Sequence, residues 1–155
     1  MEILSFQAGA NFKDRIDARL REYIEQPKNQ SQIPDQLKLA IEYGVNNGGK
    51  RIRPLLIYMI SKALGADTSI ADNTACAAEL IHCYSLIHDD LPAMDDDELR
   101  RGMPTTHVKF GWATAILAGH ALLPPAFERL PLCAAPAPSV ATVSPPAPPP
   151  RRATP

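Results

Sequence analysis

ELIHCYSLIHDDLPAMDDDELRRG, residues 79 to 102, opens as an apolar helix and closes as a run of like charge. Leu80, Ile81, Tyr84, Leu86 and Ile87, with Ala75 and Ala78 before them, recur at helical spacing and predict a helix from about Ala71 to Leu91. Glu79, His82, Leu86 and Asp89 fall at i, i+3, i+7 and i+10, so they share one largely polar stripe on that helix. Pro92 disfavours helical geometry at Leu91 and removes a backbone donor. The chain should therefore break there and bring Asp95 to Asp97 round as a loop beside Asp89 and Asp90.

Carboxylates gathered at the end of an apolar helix repel one another unless a cation neutralises them. A solvated acidic cap is the plain alternative. An EF-hand is excluded, because the sixth position counted from Asp95 is Arg100 where glycine is needed. Hard oxygen ligands without a dedicated cage suit Mg2+, which takes one or two carboxylates together with phosphate oxygens. Arg100 and Arg101, directly after the acids, suit the remaining phosphate oxygens, so the two signs of charge have one explanation.

A second anion-type element lies upstream at GVNNGGKRIRP, residues 44 to 54. Gly44, Gly49 and Lys50 match a P-loop, but Arg51 stands where a metal-holding Ser or Thr is required, and a helix precedes it instead of a strand. The nucleotide reading fails. The local physics remains: glycines permit close approach, a helix N-terminus follows at Pro54, and Lys50, Arg51 and Arg53 offer donors to an anion. A helix-capping turn with solvated basic residues is the competing reading, as a core histidine held by one hydrogen bond is for His82.

The remaining segments are helical. Phe12, Ile16, Leu20, Tyr23 and Ile24 mark an amphipathic helix ending near Pro27. Leu37, Ala40, Ile41 and Val45 mark another, opened at Pro34 and stopped by Asn46 to Gly49. IRPLLIYMISKAL, residues 52 to 64, is apolar nearly all round and is expected to be buried, with Gly65 closing it. FGWATAILAGHALL, residues 110 to 123, continues the pattern. No segment before residue 110 alternates with period two, so the class is all-α. From Pro131 to Pro155, 9 prolines and 6 alanines in 25 residues leave little apolar bulk to offset ordering entropy. The predicted organisation is a helical part over residues 1–123 and a disordered Pro/Ala-rich tail over 124–155.

Charge excludes some partners. Sixteen Lys and Arg against 17 Asp and Glu, net −1, give no field for nucleic acid, and no run is long and apolar enough for a membrane span or a secretion signal. A cytoplasmic protein is expected. Cys76, Cys83 and Cys133 form no CxxC pair and read as reduced thiols, the first two as small packing residues on the long helix.

GGKRIRPLL and ELIHCYSLIHDDLPAMDDDELRRGMPTTHVKFG resemble the first signature regions of the trans-prenyl diphosphate synthase (polyprenyl synthetase) family, most closely its bacterial farnesyl diphosphate synthases. The likeness runs from about residue 12 to 122, and DDxxxxD followed by RRG is highly specific. It implies the N-terminal part of an isoprenoid-synthase helical bundle and a Mg2+-dependent head-to-tail condensation of isopentenyl diphosphate with an allylic diphosphate, dimethylallyl or geranyl. On the same basis Asp89, Asp90 and Asp95 would hold Mg2+ on the allylic diphosphate, with Arg100 on the same group. Lys50, Arg53, His82 and Arg101 would bind isopentenyl diphosphate. Tyr84 and Ser85 match the positions that limit product length, and the intact family pairs as homodimers.

The likeness also has gaps. The family carries a second aspartate-rich motif in its C-terminal half, whereas Asp97 is the last aspartate here. Trp112 stands where Glu is usual, and Gly119-His120 where Gly-Asp is usual. The Pro, Ala and Arg at the end are what GC-rich DNA read out of frame encodes, so a frameshifted or truncated product, inactive or impaired, is expected. A non-catalytic diphosphate-binding or dimer-partner fragment is the alternative.

Overall fold

The computed structural model describes residues 6–25 and 33–130. The expected tail from residue 131 onward, with Cys133, lies outside the described residues. Seven helices and one small hairpin make up the described part: α1 (Phe6–Glu25), α2 (Asp35–Asn46), α3 (Ile52–Ala63), α4 (Thr68–Asp89), β1 (Leu99–Arg100), β2 (Met103–Pro104), α5 (Thr106–Phe110), α6 (Trp112–Ala121) and α7 (Leu123–Arg129).

The long helix is the centre. Its first turn is capped by the Asp67 carboxylate, which accepts from the Ser69 amide at 2.7 Å, so α4 starts three residues before the predicted Ala71. Ala75, Cys76 and Ala77 are consecutive and all buried, which requires cover on more than one side. That cover comes from Ile16, Leu20 and Ile24 of α1, Val45 of α2, Tyr58 of α3, Ala115 of α6 and Ala126 of α7, with Leu80, Cys83 and Ile87 completing the α4 side. Each large apolar side chain so buried contributes on the order of 1.5–3 kcal/mol. Burial pushes the Cys76 and Cys83 thiols up to about 11, which keeps both protonated at neutral pH and fits their reading as packing residues.

Two expectations need correction. The helical part does not stop at residue 123: α7 runs on to Arg129 and packs on α4. Its two prolines, Pro124 and Pro125, fall in the first turn, where no helical donor is lost, and Arg129 lies 3.8 Å over the Tyr23 ring. The second correction concerns α3, which is not buried all round. Pro54 and Tyr58 face the core, but Ile52, Leu56 and Ile60, at i, i+4 and i+8, are 54%, 51% and 58% exposed, because α3 packs chiefly on α4 and α1. The all-α class holds for the described residues apart from one hairpin, two residues per strand and too short to show alternation. Arg101 and Gly102, at φ 56° and 78°, make the two-residue turn between β1 and β2.

A polar knot ties three helices at one end of the bundle. Asp72 on α4 accepts from Arg15 Nε and Nη2 of α1, both at 2.7 Å, and from the Tyr58 hydroxyl of α3 at 2.8 Å. The Phe12 ring stacks on Tyr58 with centroids 5.1 Å apart. Burial alone would raise the Asp72 carboxyl, but the bonds from Arg15 and Tyr58 outweigh it and hold it below the ordinary 3.8. Asp17 is likewise held low, burial being outweighed by Lys13 and Arg51. Both groups thus contribute stability that is present above 3.8 and lost as pH falls through their lower folded values. Asp72→Asn is expected to cost about 1–2 kcal/mol, limited because the Arg15 side chain is 41% exposed, and to flatten the loss of stability in acid. Thermal melts followed by circular dichroism from about pH 6 down to about pH 2 check both effects.

Candidate anion and metal site

The basic element is shaped by its backbone. α2 ends at Asn46, Gly48 and Gly49 follow at φ 73° and 135°, and Arg51 adopts the left-handed conformation at φ 50° before α3 begins. This turn leaves Lys50 and Arg53 exposed and sends Arg51 inward. The Arg51 guanidinium donates to Asp17 Oδ1 at 2.8 Å, Glu79 Oε1 at 2.7 Å and the Val45 carbonyl at 2.9 Å. Of the three donors offered to an anion by the sequence, Arg51 is therefore withdrawn: its nitrogens are spent inside the protein.

The other basic residues converge. Lys50, Arg53, His82 and Arg101, from the glycine turn, α3, α4 and the hairpin turn, line one cleft of about 460 Å3 together with Gly49, Ile52, Arg51 and Glu79. Arg101 Nη1 donates to the Asn47 carbonyl at 3.0 Å and also to that of Gly48, so the hairpin and the glycine turn are tied directly. The His82 imidazole is held below its ordinary 6.5, first by burial and then by Arg53, with Arg101 and Arg100 acting in the same direction against Glu79. It is neutral at pH 7, able to donate one N–H to an anion.

The acidic element closes as the sequence suggested. α4 ends at Asp89, the Asp95 amide donates to the Asp89 carbonyl at 2.9 Å, and the Asp96 amide to the Leu91 carbonyl at 3.2 Å. Asp90 is buried and accepts from Arg100 Nε at 2.7 Å, while Arg100 Nη2 lies 3.7 Å from Asp97. Arg100 is held above its ordinary value by the Asp90 bond, burial opposing. Asp89 is half-buried, Asp95 exposed, and neither takes part in an ion pair among the described residues. Among those residues no three His, Cys, Asp or Glu side chains are already gathered for an ion. The donor set would fit Mg2+, which needs only one or two carboxylates beside water and phosphate oxygens: Asp89 and Asp95 could supply these, and Asp90 could join them only by releasing Arg100.

Tyr84 and Ser85 sit one turn before the acids. Ser85 Oγ donates to the His82 carbonyl at 2.9 Å, and the Tyr84 ring lies against His88 and His120, with centroids 4.4 and 5.9 Å away. Sequence reasoning noticed His120 as a departure but missed its contact with His88, whose Nε2 is 3.2 Å from His120 Nδ1. Gly119 makes this possible, since a Cβ there would collide with the His88 ring. The missed Arg51 network had a signal: Glu79 shares the polar stripe with His82, and a carboxylate beside a basic turn needs a partner.

Comparison with known proteins places the chain in a family. Residues 34–144 match the family model described as Polyprenyl synthetase, and the chain belongs to that family. It is 52% identical over 118 residues to a farnesyl diphosphate synthase of Geobacillus stearothermophilus, covering 76% of this chain and 38% of that protein. It is 60% identical over 91 residues to the farnesyl diphosphate synthase of Escherichia coli (strain K12), covering 59% of this chain and 30% of that one. Its fold superposes on a geranyltransferase from Legionella pneumophila with a TM-score of 0.74 at 43% identity, over 79% of this chain and 42% of that chain. The chain thus spans well under half the length of these relatives.

The glycine turn offers a direct check of the cleft. A Cβ on Gly49, at φ 135°, would lie 2.9 Å from Arg101 Nη1, whereas one on Gly48, at φ 73°, would meet nothing within 4 Å. Both alanine variants strain the backbone by about 1–3 kcal/mol, but only Gly49→Ala displaces the guanidinium. Calorimetric titration with inorganic pyrophosphate is expected to show Gly49→Ala about tenfold weaker than Gly48→Ala.

Proposed function

We propose that this chain carries the diphosphate-binding part of a prenyltransferase of the farnesyl diphosphate synthase type. The observation that carries the reading is the convergence of Lys50, Arg53, His82 and Arg101, from separate elements, on one cleft beside the acidic end of α4. In this reading the cleft receives isopentenyl diphosphate. Lys50 and the two arginines supply fixed positive charge, and neutral His82 supplies a hydrogen bond. Asp89, Asp90 and Asp95 are the residues to hold Mg2+ on an allylic diphosphate, dimethylallyl or geranyl. The ion supplies charge neutralisation for a departing diphosphate.

The protein's own groups do the rest. Arg100, freed from Asp90, is placed to meet the same diphosphate. Tyr84, its ring against those of the contacting pair His88 and His120, is placed to wall off a growing chain and so favour a short product. The apolar α4 environment behind the acids excludes the water that would otherwise capture a carbocation. The proposed setting is cytoplasmic; no described helix is long and apolar enough to cross a membrane. The proposed assembly is a homodimer, as the resemblance implies.

A second reading is a chain that binds diphosphate without turning it over, or serves as a dimer partner. The observation favouring it is that Asp90 is engaged by Arg100 at 2.7 Å, so this acid has to give up an ion pair before it can hold a metal ion. Incubation with isopentenyl and geranyl diphosphates and Mg2+ separates the two. Farnesyl product at turnover well above background supports the enzyme, and Mg2+-dependent pyrophosphate binding without product supports the binding chain. Asp89→Ala is expected to weaken Mg2+-dependent binding about tenfold, because the ion loses a ligand and the remaining carboxylates repel; unchanged affinity would sink the acidic site.

A further inference from the structure

Arg51 borders the cleft with Lys50 and Arg53, but its guanidinium is engaged inside the protein, and its surroundings say why. It is buried between exposed neighbours, Lys50 on one side and Ile52 and Arg53 on the other. Its backbone is in the left-handed region at φ 50°, ψ 40°, a conformation a non-glycine residue keeps only when its surroundings require it. Its fork reaches three elements at once: Asp17 on α1, Val45 on α2 and Glu79 on α4.

Glu79 is the unusual member. It is buried, it lines the same cleft as Lys50, Arg53 and Arg101, and it stands one turn before His82 on α4. An uncompensated carboxylate there would repel any anion entering the cleft and would bind one of its cations instead. Arg51 Nη1 holds that carboxylate at 2.7 Å, and Asp17, the other acid on Arg51, is shared with Lys13. With Glu79 matched, Lys50, Arg53 and Arg101 keep their charge for a ligand.

We propose that Arg51 is a positioning residue for the diphosphate cleft, keeping it open to anions by neutralising Glu79 from behind. The inference rests on the cleft being a diphosphate site. It assigns Arg51 a role through Glu79 and none in direct contact with substrate.

The experiment is pyrophosphate titration of the full chain by calorimetry, with the His82 midpoint followed by NMR. The groups acting on His82 are Arg53, Arg101 and Arg100, which lower its midpoint, and Glu79, which raises it. Arg51→Met is expected to weaken pyrophosphate binding about tenfold and to raise the His82 midpoint, because Glu79 is unmasked. Adding Glu79→Gln to that variant is expected to restore affinity to within about threefold of the wild type and to bring the midpoint back down. Arg51→Lys keeps the charge beside Glu79 and is expected to stay close to the wild type in both readouts; it serves if the methionine variant does not fold. A purely structural Arg51 predicts a loss of affinity that Glu79→Gln leaves untouched and that Arg51→Lys shares, and either result overturns the inference. If wild-type protein fails to bind pyrophosphate, the diphosphate reading itself falls, and the His82 midpoints alone then decide whether Arg51 masks Glu79.

Discussion

Burial of α4 along most of its length is the constraint on which the other features depend. A helix covered by α1, α2, α3, α6 and α7 cannot rotate or slide without exposing Leu80, Cys83 and Ile87, so its polar stripe is held in one direction. Glu79 and His82 are thereby aimed at the basic turn, and Asp89 at the acidic loop. Polar groups on so apolar a helix are held in place by packing around them, and their mutual geometry is inherited from the core.

Much of this was legible in the sequence because the periodicity was strong. The break at Pro92 produced the loop it implied, with Asp95 bonded back to Asp89. Lys50, Arg53, His82 and Arg101, separated by up to 51 positions, came together because each lay next to a feature with a clear local signature: a glycine turn, a helix start, a helical stripe and an RRG turn. Family membership followed from the same motifs.

What was not legible depended on which neighbours a segment has. Nothing in IRPLLIYMISKAL distinguishes a helix buried on all sides from one packed chiefly on two partners, and α3 proved to be the second. Pro124 and Pro125 read as the start of a helix-breaking tail, when their position within the first turn made them compatible with α7. Arg51 was misread because residue type alone does not reveal a left-handed φ. That single backbone angle turns a surface cation into a buried one and redistributes the charge of the whole turn.

The pair Arg100 and Arg101 also has a metric consequence. Arg100, on β1, reaches Asp90 in the acidic loop, while Arg101, in the turn, reaches the carbonyls of Asn47 and Gly48. Two adjacent residues thus belong to two different charge fields, joined by one peptide unit whose Cα atoms are about 3.8 Å apart. Covalent geometry therefore acts as a ruler between the acidic and basic poles: neither can drift from the other by more than two arginine side chains can stretch.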